Sequence, residues 1–210
     1  MAFEELEPID AFCDRHDLPF DSERAKRMTH YLDLLMHFND TLGLIGPRDR
    51  QTVVDELLVD SLVAAVARRP RGEMLDVGTG AGLPSIPIKL IFDDLPMTLV
   101  EPKGKRTTFL KIAIHRLELS NVELFKDRIE EFDRTGFDFV ASKAFQNPST
   151  WLETGLDYTA PTGAVICMAR RSDRDDLVEV ADELGLGLVG DASIGADGPE
   201  QRVCYAFERV

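Results

Sequence analysis

The sequence predicts an α/β fold: a mostly parallel sheet with helices between its strands, carried behind an N-terminal helical cap over residues 1–70. Three observations carry this reading. Met74-Leu75-Asp76-Val77 is a short apolar run, and Gly78, Gly80 and Gly82 follow it at alternate positions before Pro84. Beyond Gly72, runs of strand length alternate with helical periodicity, the pattern of a parallel sheet with right-handed crossovers over residues 71–210. Before residue 70, apolar residues recur at helical spacing.

In chain order, Ile9, Phe12 and Cys13 mark a first short helix that Pro19 ends. Asp21 or Ser22 opens a stronger one, with Ala25, Met28, Tyr31 or Leu32, Leu35 and Phe38 on its inner face. His30 and His37 share a face of it without an acid or cysteine at metal spacing, so they read as surface residues and no metal site is expected. Gly43, Gly46 and Pro47 stop it, and a third helix spans about 52–67. Strands follow at about 73–77, 97–100, 122–125, 137–141 and 164–168, with helices at about 83–92, 105–118, 148–158 and 173–184. A hairpin of 187–194 and 202–208 closes the sheet with an antiparallel strand. The chain contains no internal repeat and no low-complexity stretch.

The glycine loop selects a ligand class. Glycines permit a tight turn and close approach of backbone to ligand, Pro84 suits a first helical turn, and the helix N-terminus adds a positive dipole end. A dinucleotide fingerprint needs its third glycine where Leu83 stands, whereas here it falls at Gly82. Asp76 at the strand end opposes a pyrophosphate and suits the amino group of a methionine-type ligand, which favours S-adenosylmethionine. Glu101 ends the next strand, where an acid takes ribose hydroxyls.

Composition sets limits. The 210 residues form one domain, or one with a helical extension, and 44% hydrophobic and 30% charged residues are ordinary for a globular enzyme. No apolar stretch reaches transmembrane length, the acidic start is unlike a targeting signal, and Cys13, Cys167 and Cys204 lack C-x-x-C spacing, so a cytoplasmic protein is expected. A net charge of −14 sits awkwardly with nucleic acid, which needs a local basic face. Candidates are Arg68, Arg69 and Arg71, then Lys103 to Lys111 with Arg116, and Arg170, Arg171 and Arg174.

Asp76-Val77-Gly78-Thr79-Gly80-Ala81-Gly82-Leu83-Pro84-Ser85-Ile86-Pro87 resembles the signature of the RsmG (GidB) family, small-subunit ribosomal RNA guanine-N7 methyltransferases of the class I, Rossmann-like fold. Gly104-Lys105-Arg106 with Phe109-Leu110, then Asn121-Val122-Glu123, Arg128 to Phe132 and Ser142-Lys143-Ala144-Phe145 follow in the family's order, so the likeness runs from about Arg27 to Phe145. It implies Gly78 and Leu83 against the cofactor, Ile129 and Glu130 near its adenine, and Lys143 near cofactor and substrate. The cofactor set is then Asp76, Gly78, Thr79, Gly80, Gly82, Leu83, Glu101, Ile129, Glu130 and Lys143, with Lys143 also the catalytic candidate and Lys105 and Arg106 the substrate candidates. A monomer acting on ribosomal RNA, without a membrane, is expected.

Departures gather on the acceptor side. The family's Asn-Leu-Thr reads Gly43-Leu44-Ile45, its Arg-His reads Glu56-Leu57 ahead of a retained Asp60-Ser61-Leu62, and its Arg after the fourth strand is Lys143. Its later Lys-Gly reads Ala169-Arg170 and its Glu-Arg-His reads Glu200-Gln201-Arg202. No Asn-Pro-Pro-Tyr-type motif for amine methylation follows the fourth strand, and Cys167 and Cys204 read as core residues rather than nucleophiles. Guanine N7 has a free lone pair, so its methylation needs alignment and no base. A small-molecule acceptor and a cofactor- or RNA-binding protein without turnover are the alternative readings.

Overall fold

The computed structural model describes residues 4–195 and 197–210. Met1 to Phe3, part of the acidic start, and Ala196 lie outside the described residues. Seven strands form one sheet: β1 Met74–Val77, β2 Met97–Val100, β3 Val122–Phe125, β4 Phe137–Ser142, β5 Thr159–Arg170, β6 Leu186–Ser193 and β7 Arg202–Arg209. Their order is β3-β2-β1-β4-β5-β7-β6, with β1 to β5 parallel and β7 antiparallel to both β5 and β6. The expected architecture is therefore present. β5 is longer than the 164–168 implied by the sequence: it begins at Thr159 and takes in Pro161 and Gly163 through a register shift opposite Phe137 and Phe139.

Alternation along the strands explains the layers. Met74, Phe139, Ala141, Ala164, Ile166, Cys204 and Ala206 face one side; Leu75, Val77, Val140, Val165, Cys167, Tyr205 and Phe207 face the other. The second side is covered by α7 Pro148–Tyr158 and α8 Arg174–Glu183, through Trp151, Leu152, Leu177 and Ala181. The first is covered by α5 Ser85–Ile91, α6 Gly104–Arg116 and the N-terminal helices. These are α1 Glu7–Arg15, α2 Ser22–Leu42, and a continuous rod made of α3 Arg50–Val53, a π-helical turn Val54–Leu58 and α4 Val59–Ala67.

Asp21 caps α2 by accepting from the Glu23 and Arg24 N–H groups, and Gly43 ends it in the left-handed conformation at φ 61°. Buried Asn39 then fixes the turn beyond, accepting from Ile45 N–H at 2.9 Å and donating to the Pro47 carbonyl at 3.2 Å. α4 is buried along nearly its whole length against β6 and β7, and its Asp60 is 2% exposed. No described helix is long and apolar enough to cross a membrane.

Candidate functional site

Parallel strands deliver their carboxyl ends to one edge, and β1, β2, β4 and β5 bring Asp76, Glu101, Ser142-Lys143 and Arg170 there. The glycine loop hangs from that edge. Gly78 and Thr79 donate to the Val100 carbonyl at 2.9 and 3.2 Å, and Gly82 and Leu83 donate to the Thr79 carbonyl at 2.8 and 3.1 Å. The turn thus persists to Pro84, which sits ahead of α5 rather than inside its first turn as the spacing implied. Gly78, Gly80 and Gly82 all have positive φ, which other residues adopt only with strain. Their open sides differ. A Cβ on Gly78 would stand 2.9 Å from the Phe145 ring and one on Gly80 would meet only ordinary contacts, whereas one on Gly82 would stand 2.4 Å from Ile86 Cδ1. Gly82 therefore seats the loop on α5.

Two buried acids flank this loop. Asp76 is sealed from solvent; one carboxyl oxygen accepts from the Ser85 hydroxyl, which lies 3.1 Å from Thr79 Oγ1, while Oδ1 is buried with no hydrogen-bond partner. Burial pushes its carboxyl up to about 7, against the hydroxyl bonds that lower it, and Glu101 pushes the same way. Glu101, 1% exposed, accepts from Gly80 N–H at 3.0 Å and Lys103 N–H at 2.8 Å, with Arg106 Nη1 at 3.5 Å. α2 holds the loop from behind: its fully buried Tyr31 hydroxyl donates to the Ala81 carbonyl at 2.8 Å.

The other expected residues divide. Ile129 packs its side chain into the sheet core and its carbonyl accepts from Tyr158 at 2.9 Å, while Glu130 is exposed. Lys105 is exposed beside the loop; Arg106 instead turns back to Glu101. Of the basic clusters, Arg68, Arg69 and Arg71 precede β1 and gather with Asp138 and Thr162 at the opposite, amino end of the strands, away from the loop. Cys167 and Cys204 are buried core thiols, and burial pushes Cys167 up to about 12. Lys143 Nζ lies 2.6 Å from Asp60 Oδ2, and Arg202 Nη1 lies 3.6 Å from the same oxygen.

Residues 24–196 match the family model described as rRNA small subunit methyltransferase G. A protein of that name from Halorhodospira halophila is 32% identical over 80% of this chain and 79% of its own. One from Chromohalobacter salexigens is 31% identical over 96% of each. The chain belongs to this family. It is accordingly a methyltransferase whose cofactor is S-adenosylmethionine. The fold is shared more widely. The ribosomal protein L11 methylase of Lactobacillus delbrueckii superposes with a TM-score of 0.60 at 14% identity, covering 80% of this chain and 82% of that one. TYW2 of M. jannaschii, solved in complex with AdoMet, gives 0.54 at 16%, covering 66% and 69%.

The residues at the strand edge suit the family's cofactor. Asp76 Oδ1 is a buried acceptor without a donor, and Glu101 is a second buried acceptor, so a ligand bringing an ammonium and hydroxyl groups completes them, whereas a pyrophosphate is repelled. Sequence reasoning listed Asp76 and Glu101 but passed over Tyr31, Ser85 and Asp60. Asp60 carried a readable signal: it is an acid inside Leu57-Leu58-Val59-Asp60-Ser61-Leu62-Val63, a run in which every other residue but Ser61 is apolar. Ser85 stood inside the quoted signature without an assigned role, and Tyr31 carried no signal beyond its place on the inner face of its helix, until the fold sets both against the glycine turn.

Proposed function

We propose that this protein methylates N7 of a guanine in small-subunit ribosomal RNA, acting in the cytoplasm as a monomer. The observation that carries the reading is the pairing, at one sheet edge, of the Asp76–Glu101 loop with the Lys143–Asp60 contact, in a chain of this family. Residues 71–210 hold the cofactor through Asp76, Gly78, Thr79, Gly80, Leu83 and Glu101, and residues 1–70 form a cap that brings Asp60 to the acceptor side. The cofactor supplies an electrophilic methyl group, and guanine N7 supplies a lone pair, so no proton moves in the transfer. What this chain contributes is alignment, with Lys143 as the residue that positions the acceptor.

The test is methylation of small-subunit RNA lacking the modification, with mass mapping of the product nucleotide. Lys143→Ala is expected to lower kcat by roughly 10²-fold while leaving cofactor affinity within about twofold, since alignment is expressed in the transition state. Lys143→Arg keeps the charge and is expected to retain most of the activity. Methyl transfer to small molecules but not to any RNA would sink the reading, and an unchanged kcat in the alanine variant would remove Lys143 from it.

A further inference from the structure

Beside Lys143 lies a cavity of about 380 Å³, large enough for a small ligand. Its walls include Asp60, Lys143, Met168, Arg170, Arg202 and Val203, drawn from α4, the end of β4, the end of β5 and the start of β7. The Asp60 carboxylate is the unusual group. It is 2% exposed, and although Lys143 Nζ approaches Oδ2 to 2.6 Å, the approach lacks hydrogen-bond geometry: both atoms are buried with no hydrogen-bond partner. The charge is thus balanced by Lys143 and Arg202 on the Oδ2 side, while Oδ2 makes no directional bond and Oδ1 is not engaged by either cation. A buried carboxylate compensated in charge but short of directional bonds is open to an incoming donor.

We propose that this cavity receives the acceptor base and that Asp60 selects guanine by accepting from its N1–H and 2-amino groups. The inference rests on the RNA-methyltransferase reading above and deepens it. A carboxylate can only accept, so it prefers a base edge that presents two neighbouring donors. Guanine alone does this: adenine and cytosine set a donor beside an acceptor, and uracil sets one donor between two acceptors. N7 lies across the purine from N1 and N2, so a base gripped by Asp60 keeps N7 free to react. Met168 gives the cavity an apolar wall for the base, and Arg170 and Arg202 stand at its rim where phosphate would pass. Asp60 is therefore a specificity-determining residue, with Lys143 and Arg202 holding its charge in place.

The experiment compares RNA carrying guanosine at the mapped position with the same RNA carrying inosine, which keeps N1–H and lacks the 2-amino group. Wild-type protein should prefer guanosine in kcat/KM by roughly 10- to 100-fold, the range for one hydrogen bond to a charged acceptor. Asp60→Asn should lose most activity on guanosine and no longer discriminate, with cofactor affinity unchanged by calorimetry. Met168→Trp, which fills the cavity without touching Asp60, should block both RNAs while still binding cofactor, and so tests the pocket even where Asp60→Asn is poorly folded. Equal rates on guanosine and inosine by the wild type overturn the proposal, as does a guanosine preference surviving in Asp60→Asn. Failure of the wild type to methylate any RNA overturns the parent reading and this one together.

Discussion

Asp76 shows how one residue couples folding to ligand capture. Its carboxyl is raised from 3.8 to about 7, chiefly by burial, so the folded state holds the proton more tightly than the unfolded chain does. Stability contributed by this group therefore falls as pH rises from about 4 to about 7, the reverse of an ordinary salt-bridged acid. A ligand ammonium that meets Oδ1 prefers the ionised form, so affinity for S-adenosylmethionine should rise over the same interval. With a value of about 7 the ionised share grows about eightfold from pH 6 to pH 7.5. Calorimetry at those two values should show most of that factor, and Asp76→Asn should bind weakly with no such rise. A flat wild-type profile would mean that Asp76 stays protonated and serves the loop alone. The acid was legible in the sequence from its place before three glycines; the upward shift of its carboxyl was not, since that depends on complete burial in the folded chain, opposed by the Ser85 and Thr79 hydroxyls.

At the scale of elements, the cap and the glycine loop are one device. α2 reaches across the first sheet face, and its Tyr31 hydroxyl is the donor for the Ala81 carbonyl in the middle of the loop. Tyr31→Phe leaves that carbonyl buried without a partner, which costs about 1 kcal/mol and lowers Tm by roughly 2–4 °C in a chain of this size. The same variant should weaken cofactor binding several-fold, because the loop loses the contact that fixes Gly80 and Gly82. A full loss of stability with unchanged cofactor affinity would show that the cap supports the fold and leaves the loop alone. Strand and helix periodicity made nearly every element readable, including the antiparallel close of β6 and β7. The long rod of α3, π turn and α4 was readable as a helix at about 52–67, but its wide turn at Val54–Leu58 was not, because π geometry leaves no mark in apolar spacing. That turn precedes Asp60 and carries the Glu56 carbonyl that accepts from Arg202 at 3.4 Å, so the part hidden from the sequence adjoins the Asp60–Lys143 contact.

For the whole molecule the question is how a chain of net charge −14 holds RNA. The fold answers by sorting its cations between two ends. Arg68 is spent on Glu208 and, with Arg69 and Arg71, lies at the amino end of the strands, remote from the loop. Lys103 and Lys105 follow β2, Lys126 and Arg128 follow β3, and all four are exposed and make no ion pair among the described residues. They form a basic rim on the edge that carries Asp76 and Glu101, with Arg170 and Arg202 across the site held by Glu200 and Asp60, while α8 turns Asp176 and Glu179 to solvent on the second face of the sheet. RNA affinity should then fall with salt, with a log–log slope of about −0.7 for each single-strand phosphate neutralised. Lys103→Glu with Lys105→Glu should flatten the slope by roughly one unit or more, since two phosphate contacts are lost. Arg106 is a poor choice for the same experiment because its guanidinium is committed to Glu101. Asp176→Lys with Glu179→Lys should leave the slope unchanged although it moves net charge by as much in the opposite sense. Should the α8 variant strengthen RNA binding as much as the lysine variant weakens it, total charge rather than the rim governs association, and the sorting of cations to one edge has no bearing on substrate.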